Sequence, residues 1–137
     1  MSISPRDLWP EDIAVNEAVA PVAILKDQAS LLGERTKNLV EGRVTQRERR
    51  YSDPDFTYDF YVVAPALNNY RYRLFSISHG VEFYPLGIQE SGAFDADGRD
   101  FELKVNDEDE LLETLAKIFS SQKTKGIISS LIAQSKA

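Results

Sequence analysis

The sequence predicts a single α+β domain, with N-terminal helices, a four- to five-stranded antiparallel meander, and C-terminal helices packed on the sheet. Three observations carry this expectation. Apolar residues recur at helical spacing before residue 38 and again after residue 106, whereas between them the period falls to two. The links between the alternating runs are too short for the crossovers that parallel strands require. No repeat, low-complexity tract or linker divides the 137 residues, so the expected unit is 1–137.

The first 37 residues read as helical. Pro10 stands where a helix start tolerates proline, with Glu11 and Asp12 favouring the positive end of the dipole. Pro21 begins a second segment, in which Val22, Leu25, Ala29 and Leu32 form an apolar stripe flanked by Ile24, Gln28 and Leu31. Gly33 is the expected stop signal. Trp9 is expected to pack the first helix onto the domain.

Residues 39–51 predict a strand. Phe56, Tyr58, Phe60, Val62 and Ala64 alternate with Thr57, Asp59, Tyr61 and Val63, and Tyr70, Tyr72 and Leu74 alternate with Arg71, Arg73 and Phe75. Residues 65–69 supply the turn between those two runs. His79 and Gly80 supply a tight turn before a strand over 81–88. Phe101, Leu103 and Val105 add a short fifth strand. Phe60, Val62, Tyr72 and Leu74 are expected to face inward, with Arg71 and Arg73 outward.

Asn106 is the expected cap of the next helix, with Asp109 at its third position. Leu111, Leu112, Leu115, Ile118 and Phe119 form its apolar face, and an interruption at Gly126 precedes Ile127, Ile128, Leu131 and Ile132. The lysines of this last stretch are expected near a helix C-terminus, where the dipole favours them.

Composition narrows the chemistry. There is no Cys, which removes disulfides, thiolate nucleophiles and Cys-based metal sites, and a single His argues against a His-rich metal centre. No apolar run approaches the length of a membrane span and no basic leader precedes one, so a cytoplasmic protein without membrane contact is expected.

Charge is unevenly distributed. Residues 43–73 carry six Arg and four acids, residues 95–113 nine acids and two bases, and residues 114–137 four Lys and no acid, within a net charge of −6. Asp95, Asp97 and Asp100 around Gly98 resemble a calcium loop in composition. Gly98 stands too early for that pattern, so the expected meaning is a solvated turn. Arg43, Arg47, Arg49, Arg50, Arg71 and Arg73 lie among aromatics in the manner of a nucleic-acid-binding sheet. Alternation places Arg71 and Arg73 opposite Tyr70 and Tyr72, which favours Arg–carboxylate pairs instead. His79 follows Ser78, but no nucleophile elbow accompanies the pair.

No catalytic, cofactor-binding or metal-ligating set is therefore expected, and no enzyme. The function expected is a non-enzymatic protein-binding module, an immunity-like inhibitor or adaptor that meets a basic protein through Asp107, Glu108, Asp109 and Glu110. A single-stranded nucleic-acid-binding sheet and a small-molecule-binding domain are the alternatives.

Overall fold

The computed structural model describes residues 4–14, 18–51, 55–93, 98 and 101–137. Helix α1 (Pro21–Arg35) begins on the proline, whose missing N–H costs nothing in a first turn, and buries Ile24, Leu25 and Ala29. The expected stop at Gly33 is displaced. Gly33 lies inside the helix, and Lys37 and Asn38 adopt positive φ beyond it. The Asn38 N–H donates back to the Gly33 carbonyl at 2.8 Å, so an Asn closes the helix. The Thr36 hydroxyl then donates to the Val40 carbonyl and accepts from the Val40 N–H, which aims the chain into the sheet.

No helix precedes α1 among the described residues. Residues 4–10 form no regular element and residues 11–14 form a turn, where the Ile13 N–H donates to the Pro10 carbonyl. The Asp7 carboxylate accepts the Trp9 N–H, a local bond that competes with helical pairing. Trp9 is 73% exposed instead of packed.

The sheet is the expected antiparallel meander, ordered β1 (Glu41–Gln46), β2 (Phe56–Ala64), β3 (Tyr70–His79), β4 (Leu86–Glu90) and β5 (Leu103–Val105). The strand expected over 39–51 is shorter at both ends. The strand expected over 81–88 starts only at Leu86, because residues 80–85 form a wider loop containing a cis Tyr84–Pro85 bond. A turn of 3₁₀ helix (Pro65–Leu67) followed by Asn68 and Asn69 at positive φ joins β2 to β3.

One irregularity reorganises the core. Phe60 pairs with Phe75 but Tyr61 pairs with Arg73, so Leu74 is an extra residue bulging from β3. Beyond it the strand changes phase. Phe75 and Ile77 join the face that Tyr72 occupies, and Phe75 stacks on Phe60 with ring centroids 5.1 Å apart. Phe75, expected beside the arginines, is thus fully buried. Phe60, Val62 and Leu74 are buried as expected, and Tyr72 is half-buried against them.

Helices α2 (Glu108–Phe119) and α3 (Gln122–Ser135) cover the same face as α1, contributing Leu111, Leu115, Ile118 and Leu131 to one apolar cluster. The expected break at Gly126 falls earlier. Ser120 closes α2, and the Ser121 side chain caps α3 by accepting the Thr124 N–H. Lys123 and Lys125 consequently sit in the first turn of α3, not near a C-terminus. The Lys123 ammonium compensates by donating to the Ser91 carbonyl.

Helix α1 lies close on β1. A Cβ on Gly42 would stand 2.5 Å from the Ala29 Cα, so only glycine permits this crossing.

Candidate binding surfaces

The acidic start of α2 is displaced by one residue from its expected geometry. Asp107, not Asn106, is the cap: its carboxylate accepts the Glu110 N–H at 2.8 Å. Glu110 reaches back to accept the Asn106 N–H at 2.7 Å, a reciprocal arrangement like a capping box. Two of the four expected contact residues, Asp107 and Glu110, therefore hold the helix end together. The other two, Glu108 and Asp109, make no ion pair among the described residues. They stand one turn before Leu112 on α2, at the positions four and three residues earlier that neighbour it on a helix surface, and Glu113 follows it in the chain. All three acids are exposed and Leu112 is 45% exposed. The Tyr84 hydroxyl is buried without a hydrogen-bond partner among the described residues. Burial, and then the Glu108 and Asp107 charges, push its pKa above the ordinary tyrosine value.

The outward sheet face is organised around Asp59, which is buried although it faces away from the helices. Arg47 donates to both carboxylate oxygens, at 3.0 and 2.8 Å, and the Arg73 guanidinium stands 3.9 Å away. The hydrogen bond to Asp59 raises the Arg47 pKa. Arg73 also donates to the Ser91 hydroxyl, and Arg71 lies over the Tyr61 ring at 4.8 Å. Arg47 and Arg73 thus face a carboxylate, the kind of pair expected for the sheet arginines, whereas Arg71 lies over a ring instead.

His79 is enclosed by Phe56, Tyr58 and Phe83, with ring centroids 5.7–5.9 Å away. Its Nδ1 lies 2.8 Å from the Gly80 carbonyl, which can only accept, so this nitrogen carries the proton. The Nε2 is buried with no hydrogen-bond partner among the described residues. Ser78 meets Thr57, hydroxyl to hydroxyl, at 3.0 Å, so the structure brings no Ser–His pair together here.

The charge pattern gave no signal for a cleft between α1 and α3. It has a volume of about 380 Å³ and a floor of Phe60, Val62 and Leu74. Leu31, Leu32, Phe119 and Ile128 wall it, and Gln28 and Arg35 stand among its lining. No carboxylate lines it, and Arg35 makes no ion pair among the described residues. The expected apolar stripe contained the clue, since Leu31 was one residue more than a helix resting on one strand requires, and it is 45% exposed.

The calcium-like residues Asp95, Asp97 and Asp100 lie outside the described residues. Among the described residues no cluster of His, Asp or Glu is arranged to hold a metal, and no helix is long and apolar enough to cross a membrane. No protein-family profile, curated protein or solved structure matches this chain.

Proposed function

We propose that this chain is a non-enzymatic protein-binding module, an inhibitor or adaptor that meets a basic partner on the outward face of α2. One observation carries the reading. Glu108, Asp109 and Glu113 present uncommitted charge around a half-exposed Leu112 on a helix anchored by Leu111 and Leu115. An apolar centre with a charged rim is the composition of a contact patch, and the rim charges act mainly on association rate. Asp107 and Glu110 support the surface by capping the helix.

A photo-crosslinking residue at position 112, in living cells of the source, tests this. The expected result is a discrete adduct with a basic protein, lost when Glu108 and Asp109 are both changed to Lys and absent with the probe at Thr45 on the outward sheet face. An adduct that survives the double reversal, or none at position 112, overturns the proposal.

A further inference from the structure

Two features of the fold have no counterpart among the described residues. The segment ahead of α1 exposes Leu8, Trp9 and Ile13 at 82%, 73% and 61%, and all of residues 4–14 are exposed. The segment is nonetheless locally ordered. The Asp7–Trp9 bond and the Pro10–Ile13 turn hold it, and Trp9 and Ile13 stand four residues apart around that turn. The cleft between α1 and α3 is the converse: an apolar floor belonging to the core, open between two helices.

We infer that the N-terminal arm of one copy of this chain docks into the α1–α3 cleft of a second copy, forming a dimer by reciprocal exchange. Trp9 and Ile13, on either side of the turn closed by the Ile13 N–H to Pro10 carbonyl bond, supply two exposed apolar anchors. The cleft's volume of about 380 Å³ is within the range of sites that enclose a side-chain-sized apolar group.

Charge selects the occupant. Asp7, Glu11 and Asp12 outnumber Arg6 around the anchors, so the arm carries net negative charge. The α1–α3 cleft has Arg35 in its lining and no acid. Burying one Trp removes about 150–250 Å² from water. Two arms with their flanking Leu8 and Ile13, and the matching cleft walls, reach about 1,000–1,500 Å², near the lower end of stable interfaces. A second copy is the occupant because, among the described residues, the arm is exposed throughout and does not line the cleft. This inference does not rest on the α2 surface.

Trp9 is the only tryptophan, so its emission reports the arm directly. Sedimentation equilibrium of the full chain is expected to give twice the 15.4 kDa chain mass, with Trp9 emission shifting blue as concentration rises. Changing Leu31 and Arg35 to Glu makes the cleft acidic, and changing Leu8 and Ile13 to Ala strips the arm while keeping the reporter. Each variant alone is expected to be monomeric with red-shifted emission. Mixed one to one, they are expected to associate weakly at high concentration, whereas neither does so alone, because one intact arm then meets one intact cleft and half of the contact area forms. Circular dichroism checks that both variants fold; if the Glu pair does not, Arg35→Glu alone replaces it. A chain monomeric at all concentrations overturns the inference, whether Trp9 is red-shifted and free or blue-shifted in its own cleft. A dimer that survives both sets of substitutions overturns it equally.

Discussion

Adding a single methyl group at Gly42 is expected to destabilise the protein, whereas the same addition at Gly126 stabilises it. A Cβ at Gly42 would meet the Ala29 Cα at 2.5 Å, its Cβ at 2.7 Å and its carbonyl oxygen at 3.1 Å. Two of these neighbours are backbone, which cannot rotate away. Ordinary carbon contacts lie at about 3.5–4.0 Å, so α1 must retreat by about 1 Å along its crossing with β1. Overpacking of this kind costs about 1–3 kcal/mol, and the reduced freedom of the unfolded chain returns only about 0.4–1 kcal/mol. The expected net loss for Gly42→Ala is about 1–2 kcal/mol. Gly126 lies inside α3 with nothing within 4 Å of its added Cβ. There the helix preference of Ala over Gly contributes about 0.8–1.0 kcal/mol of stability. Urea unfolding followed by circular dichroism reads both, and at a slope of about 2 kcal/mol/M the midpoints move by about 0.5–1 M downward and about 0.5 M upward. A Gly42→Ala midpoint at or above that of the unaltered protein would refute the close crossing of α1 on β1. That crossing also fixes one wall of the cleft.

Other outcomes follow from the same geometry. Phe60→Ala is expected to cost about 3–5 kcal/mol in a denaturant melt, because the ring packs against Phe75 and Phe119 with 1% of its residue exposed. An unchanged midpoint would reverse the assignment of the sheet faces. Asp59→Asn removes the charge that Arg47 and Arg73 face, at a cost of about 1–3 kcal/mol moderated by the solvent access of both arginines; a change below about 0.5 kcal/mol would contradict the pairing. Tyr84→Phe deletes a buried hydroxyl that has no partner among the described residues, and is expected to hold or raise the melting temperature at neutral pH. Because the folded state holds the Tyr84 proton more tightly than the unfolded state, this group's contribution is intact below about pH 10 and falls above it. The Phe variant should show a shallower alkaline decline, and identical slopes would count against the burial. Asp107→Ala is expected to cost about 1 kcal/mol through the lost cap, and Glu108→Ala under about 0.5 kcal/mol. Equal losses in thermal melts would show that the cap is misplaced.

The antiparallel order of the strands was legible because each alternating run is separated by residues that turn the chain. Asn68 and Asn69 are examples, both at positive φ. The inward placement of Phe60 and Val62 was legible for the same reason. The position of Phe75 was also written in the chain, but in a form that simple alternation conceals. Tyr70, Tyr72 and Leu74 follow one phase and Phe75, Ile77 and His79 the other, and the adjacent apolar pair Leu74 and Phe75 marks the bulge between them.

Helix ends were less legible because several residue types can supply the same bond. Asn38 closes α1 in place of Gly33, Asp107 caps α2 in place of Asn106, and Ser121 starts α3 well before Gly126. That no helix precedes α1 among the described residues has a physical cause. Leu8, Trp9 and Ile13 do not make a stripe broad enough to repay the ordering of a helix, and Asp7 offers the backbone an alternative partner. At the proposed contact surface, the sequence located the acids but not their division of labour. Which carboxylates cap and which remain free depends on the cap residue, and a shift of one position exchanged those roles.

The central claim is that the outward face of α2, and not the arginine-bearing face of the sheet, receives the partner. Backbone amide chemical shifts of the isotope-labelled protein, recorded while the basic protein captured at position 112 is added, test it most directly. The account predicts changes centred on Glu108, Asp109, Leu112 and Glu113, shrinking as salt is raised, with Arg43, Thr45 and Arg71 unmoved. Changes centred on Arg43, Thr45 and Arg71, with α2 silent, would contradict it.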